Sequence, residues 1–165
     1  MTNWTNADGL EVKFGLDAAR LGEVSSSNEL EQHVSVVINA TALALAGGRV
    51  DSDNPVVIPA GSYITRAFFR VITAFTSAGA ATLDLGLGLA DGTYTGGDED
   101  GIDVAIALSA INAAGLVVVC NGALVGGTAI SGAVDLYPTY DVDTAVYTAG
   151  KGVLHIAYIP PAVPA

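Results

Sequence analysis

From residue 31 onward the chain alternates between apolar and polar positions. In "EQHVSVVINA" (31–40), Val34, Val36 and Ile38 fall on one face and His33, Ser35 and Asn39 on the other, the period of a half-buried strand. "TALALA" (41–46) continues the pattern, and "DSDNPVVIPAG" is turn chemistry around Pro55 and Pro59. "SYITRAFFRVITAF" (62–75), rich in β-branched and aromatic residues, predicts a long strand. Tyr63, Thr65, Ala67, Phe69, Val71 and Thr73 form one face of it, and Ile64, Arg66, Phe68, Arg70 and Ile72 the other. "ATLDLGLGLA" (81–90) alternates most cleanly, with Leu83, Leu85, Leu87 and Leu89 opposed to Asp84, Gly86 and Gly88. Two glycines on one strand face imply a closely approaching neighbouring backbone.

Further along, Val104, Leu108 and Ile111 are spaced i, i+4, i+7 and predict a short helix over 102–114, ended by Gly115. Asn121-Gly122 between the apolar runs "LVVVC" and "ALVGG" predicts a hairpin. "AVDLYPTYDV" (133–142) reads as a strand that Pro138 restricts to an edge or a bulge. "TAGKG" (148–152) reads as a turn, and "VLHIAYI" (153–159) as a closing strand, apolar on both faces. Residues 1–30 have weak periodicity and read as an extended N-terminal arm with a short strand within 10–16. Residues 31–160 form the folded domain and 161–165 a tail. Roughly eight strands with one short helix and frequent turn residues make an all-β sandwich or barrel.

Composition sharpens this picture. Hydrophobic residues make up 51% of the chain and charged residues 14%, against about 25% charged in an ordinary domain. So little charge on so apolar a chain points to surface covered by other subunits, that is, to a homo-oligomer. Six basic residues against seventeen acidic ones give a net charge of -11, which repels phosphate and argues against nucleic acid as a partner. Residues 104–134 carry no charge, but their glycines and asparagines and the lack of flanking Lys or Arg argue against a membrane span. The opening "MTNWTNADGLEVKFG" does not read as a signal peptide, having neither a basic region nor an apolar run.

Candidate chemistry is sparse. The acidic stretch "ADGTYTGGDEDGID" (90–103) fails as an EF-hand loop. Counted from Asp91, Gly96 falls at the sixth position, but threonines occupy the third and fifth and Ile102 the twelfth. It reads as a solvated loop, with weak cation binding left open. His33 and His155 lack metal-ligand spacing, and Cys120 before a tight turn reads as a buried, inert thiol. No catalytic, cofactor or metal residues are assigned, and no enzyme activity is expected. Arg66 and Arg70, with Phe68 between them, concentrate cations on one strand face of a chain that has few. They either face water or pair with carboxylates of another subunit or partner. Tyr137, Tyr140 and Tyr147 leave open a third reading, a carbohydrate-binding sandwich at a host-facing surface.

The segments "VIPAGSYITRAFFRVITAFTSAGAATLDLGLGLADGT", "GID", "GALVG" and "YTAGKGVLHIAYI" resemble small structural proteins of tailed bacteriophages over residues 55–160, about two thirds of the chain. The resemblance implies a β-sandwich of jelly-roll type and a capsid decoration (cement) protein. Such a protein binds the major capsid protein, forms a homo-oligomer, most often a trimer, and sits on the virion surface after synthesis in the host cytoplasm. A head fibre base or a head–tail component is the alternative within the same family. The resemblance carries no catalytic residues over.

Overall fold

In the computed structural model, which describes residues 2–5, 11–14, 31–42, 48–49, 56–89, 97–127 and 135–161, the alternating segments pair into two four-stranded antiparallel sheets. Within the expected arm, β1 (Thr2–Thr5) and β2 (Glu11–Phe14) pair antiparallel with each other. The sandwich strands are β3 (Gln32–Asn39), β4 (Gly48–Arg49), β5 (Tyr63–Ser77), β6 (Thr82–Gly88), β7 (Asp98–Ala107), β8 (Val117–Cys120), β9 (Tyr137–Asp143) and β10 (Tyr147–Ile159). The one α-helix among the described residues, α1, is the single turn Leu108–Ile111.

The sheet orders are β3-β10-β5-β8 and β4-β9-β6-β7. Counted along the sandwich, the first strand pairs with the eighth, the second with the seventh, the third with the sixth and the fourth with the fifth. That is a long antiparallel ribbon rolled onto itself, the jelly-roll topology. The alternation in the sequence decides which side of each strand meets the core. Val36 and Ile38 of β3, Phe69 and Val71 of β5, Leu83, Leu85 and Leu87 of β6, Val142 of β9 and Leu154 and Ile156 of β10 are buried together between the sheets. Fully burying a side chain of this size contributes about 1.5–3 kcal/mol.

Three glycines shape the sheets. β10 crosses the rings of Phe69 and Phe75, where a Cβ on Gly152 would stand 2.2 Å from Phe69 Cζ and one on Gly150 2.4 Å from Phe75 Cγ. Gly150 also takes φ +140°, and the β10–β5 register shifts on either side of it. "TAGKG" is therefore not a turn but a bulged part of β10. Gly86 of β6 confirms the expected close approach: a Cβ there would lie 2.1 Å from the Asp98 carbonyl oxygen and 2.3 Å from that of Glu99.

Several local expectations are corrected. The short helix predicted over 102–114 is the single turn Leu108–Ile111, and residues 102–107 are strand. Ile102 and Ile106 are the buried pair, whereas Val104 is 54% exposed. A bulge that puts Ala105 at φ +51° lets Ile102 and Ile106, four residues apart on one strand, both face the core. Asn121-Gly122 does not close a hairpin. The chain leaves β8 for the other sheet, with Gly122 N–H donating to the Ile102 carbonyl at 2.9 Å and Leu124 N–H to that of Gly101 at 2.8 Å. The strand expected to run through "TALALA" ends at Asn39 and passes into a 3-10 turn, Ala40–Ala42. On β5, Ile64 joins Ala67 and Phe69 in the core because the register slips between Ile64 and Arg66 opposite Tyr158 and Ala157. Pro138 does not put its strand at an edge or a bulge: β9 lies between β4 and β6 in unbroken register with β6, and among the described residues β4 meets it at Thr139 and Tyr140, not at Pro138.

Gly86→Ala should lower stability by about 1–3 kcal/mol, the usual cost of overpacking, because the atoms it meets are backbone. The midpoint of urea unfolding measures this, and an unchanged midpoint would show that β7 can move away from β6.

Candidate interaction face

The outward side of the β3-β10-β5-β8 sheet is built from the strand positions opposite the core. Cross-strand register sets two rows on it. One runs Ser35, His155, Phe68, Val119, and the next Val37, Val153, Arg70, Val117. The imidazole of His155 stacks on the ring of Phe68 at 4.6 Å and 17°. Arg66 lies beside Ala157, and His33 beside Ala157 from the other side. His33, Arg66, Ala67, Phe68, Val117 and Val119 line an open groove of about 640 Å³. Large apolar side chains stay in water here: Val119 is 77% exposed, Val117 54% and Ile72 49%.

The charges on this face are few. Glu31 Oε2 lies 2.5 Å from Arg66 Nη2 and 3.4 Å from His33 Nε2. The Thr65 hydroxyl donates to Glu31, and this bond, followed by the charges of Arg66 and His33, holds the Glu31 carboxyl below the usual range. No carboxylate among the described residues pairs with Arg70. Burial, then the Arg70 charge, pushes the His155 imidazole below its ordinary value, so it is neutral at pH 7. Arg70 and Lys151 are thus the cations this face offers with no ion pair among the described residues.

The opposite sheet carries the other sign. Asp84 of β6 sits across from Asp141 of β9. Burial, followed after an opposing bond from Ala105 N–H by the charges of Asp143, Asp141 and Asp100, raises the Asp84 carboxyl above the usual range. Between the sheets, Asp103 is buried against Cys120, and burial followed by the Asp103 charge pushes the thiol up to about 12. Cys120 is the inert thiol its sequence context predicts.

Arg66, Phe68 and Arg70 share the outward face, as the alternation predicts, but Arg66 already has an ion pair within the chain. His33 and His155, distant in sequence, join them there. Sequence reasoning missed Val117 and Val119. Their signal was present, since "LVVVC" has no polar position with which to face water, but a continuous apolar run equally suits a strand buried on both sides. In the acidic stretch, residues 90–96 lie outside the described residues, and Asp98, Glu99, Asp100 and Asp103 belong to β7, so that half is strand rather than loop. Tyr140 and Tyr147 are buried, and Tyr147 packs edge-on to Phe75 at 5.4 Å, so these tyrosines line no sugar groove.

No protein-family model matches the sequence, and no curated protein matches it. Among solved structures, a chain of the capsid of Ralstonia phage GP4 aligns over 81% of this chain and 84% of its own length, with a TM-score of 0.51 and 13% identity. The fold is shared. A chain of the acid-stable capsid of Helicobacter pylori bacteriophage KHP30 aligns over 82% of this chain and 97% of its own, with a TM-score of 0.45 and 16% identity. At 13% identity the likeness to the GP4 chain concerns the backbone topology alone and transfers no residue roles.

The acidic sheet yields a pH-dependent expectation. Because the folded Asp84 carboxyl is raised, its ionised form works against folding above that value, and the penalty vanishes as pH falls through it toward the ordinary value near 4. Asp84→Asn keeps an acceptor for Ala105 N–H and removes the charge. It should stabilise the protein by about 0.5 kcal/mol at pH 7, the scale of a partly solvated like-charge pair, and give no gain at pH 4. Melting temperatures of both proteins across that range check this; a gain that persists at pH 4 would assign it to packing.

Proposed function

We propose that this chain is a non-enzymatic structural protein of a bacteriophage virion, a capsid decoration protein that binds the major capsid protein and reinforces the shell by added contact area. The observation that carries this reading is the outward face of the β3-β10-β5-β8 sheet, where valines, Ile72 and Phe68 stand in water around Arg70 on a chain of net charge -11. Apolar surface of this kind is a contact surface, and an arginine within it suits a carboxylate of the partner. The jelly roll shared with a chain of the Ralstonia phage GP4 capsid supports placing that partner in a virion shell. The open sheet face and the inert Cys120 thiol support a binding role over a catalytic one.

In this reading the protein is made in the host cytoplasm and joins the particle as a homo-oligomer, for which the family resemblance implies three copies. Arg70, rather than Arg66, is the residue that seeks a carboxylate across the capsid interface. Arg66 is satisfied by Glu31 at 2.5 Å.

The test is co-sedimentation with intact particles. Hundreds of copies per particle are expected for decoration, and a dozen or fewer would assign the chain to a vertex or tail component instead. Arg70→Ala should weaken binding to particles tenfold or more, about 1.4 kcal/mol, with the circular dichroism spectrum retained. Failure of the wild-type protein to sediment with particles would overturn the reading. Wild-type affinity in Arg70→Ala would remove this residue from the interface.

A further inference from the structure

An asparagine followed by glycine carries its own reactive pair. The backbone nitrogen of the glycine can attack the side-chain amide carbon of the asparagine, and glycine has no side chain to block the approach. Asn121-Gly122 is the Asn-Gly pair of this chain.

The pair opens the segment 121–126, by which the chain leaves β8 for the second sheet. The amides of this segment are taken up in turn. Asn121 N–H and the Cys120 thiol donate to the buried carboxylate of Asp103, which also accepts from Val104 N–H at 3.0 Å. Gly122 N–H donates to the Ile102 carbonyl at 2.9 Å, and Leu124 N–H to that of Gly101 at 2.8 Å. Gly126 N–H donates to the Ile64 carbonyl of β5 at 2.8 Å. The segment is therefore a strap, bonded to β7 in one sheet and to β5 in the other. Gly122 is buried, and a Cβ on it would stand 2.5 Å from the Gly101 carbonyl oxygen and 2.6 Å from that of Asp100. Asn121, one residue earlier, is exposed. The carbon to be attacked is in water, and the nitrogen that would attack it is held.

We infer that Asn121 is a deamidation site that the fold keeps shut, reacting only when the 121–126 strap lifts from β7. While Gly122 N–H is bonded to Ile102 and its Cα is packed against the Gly101 and Asp100 carbonyls, the nitrogen can neither lose its proton nor turn toward Asn121. Lifting the strap removes both constraints together. The Gly122 nitrogen then gives its proton to solvent and bonds to the side-chain amide carbon of Asn121. The bond from that carbon to the amide nitrogen breaks, and the nitrogen leaves as ammonia, taking a proton from solvent. Water opens the resulting cyclic imide at either carbonyl, giving aspartate or isoaspartate. Either product places a new carboxylate beside Asp103, and isoaspartate also lengthens the backbone by a methylene where Gly122 has no room for it. The strap cannot close again as before, so conversion is a one-way record of its opening. None of this depends on the virion reading.

The test holds the folded chain, and the same chain unfolded in urea, at neutral pH and follows conversion of Asn121 to the acid by peptide mapping and mass spectrometry. Amide exchange at Gly122 is measured by NMR on the folded chain. Both reactions need the same N–H released by the same local opening. The folded chain should therefore deamidate at Asn121 more slowly than the unfolded chain by the factor by which the fold slows Gly122 exchange, about tenfold or more. Leu124→Ala removes the side chain that lies over Gly101, where a Cβ would stand 2.6 Å from Leu124 Cδ1, and so eases opening. Deamidation and Gly122 exchange should then both accelerate, by one common factor. Equal deamidation rates in the folded and unfolded chains would overturn the gating. A slowing far beyond the protection of Gly122 would overturn it too, because the reaction would then run through global unfolding. A Leu124→Ala chain that exchanges faster at Gly122 without deamidating faster would do the same. If Leu124→Ala does not fold, the match or mismatch of the two wild-type factors decides alone.

Discussion

The passage of β10 across the rings of Phe69 and Phe75 is the constraint on which the sandwich depends. Those two rings, 5.7 Å apart, form the widest apolar mass of the β3-β10-β5-β8 sheet, and Tyr147 closes on Phe75 from the end of the same strand. β10 can lie flat over them only where it has no side chains, at Gly150 and Gly152. The pairing of β5 with β10 at the centre of the sheet then places β3 and β8 at its edges. Every outward residue discussed above takes its position from that central pair.

A second consequence is the separation of charge. Core-facing positions on both sheets are mostly apolar, with Asp103 an exception, so most charged residues lie outward, and the two outward faces differ. One gathers Asp84, Asp141 and Asp143 at a cost in like-charge repulsion. The other has Arg66 and Arg70 among valines and aromatic rings. A chain that is strongly acidic as a whole thus presents one face that is neither acidic nor strongly hydrated. Association through that face avoids the repulsion that its net charge would otherwise impose. The same arrangement leaves the histidines without a catalytic setting. His155 is a flat ring stacked on Phe68 in an open sheet, kept neutral by partial burial and by Arg70.

The sequence by itself determined which residues face the core wherever strict alternation ran unbroken, as in Leu83, Leu85 and Leu87 or in Val36 and Ile38. The physical reason is local, because the pleat turns successive side chains to opposite sides regardless of what lies beyond. It also determined the all-β class, the buried thiol of Cys120 and the close approach at Gly86. The tertiary structure decided what depends on register between distant strands. The bulged β7 runs on to Ala107 and leaves the predicted helix a single turn, Leu108–Ile111. The glycines of "TAGKG" served a ring-crossing rather than a turn, and Asn121-Gly122 led to the second sheet rather than back along the first. Edges were likewise invisible. "LVVVC" reads as a strand covered on both sides, and only the order β3-β10-β5-β8 shows that Val117 and Val119 stand at a margin, since a strand's neighbours are chosen by the packing of the whole chain and not by its own residues.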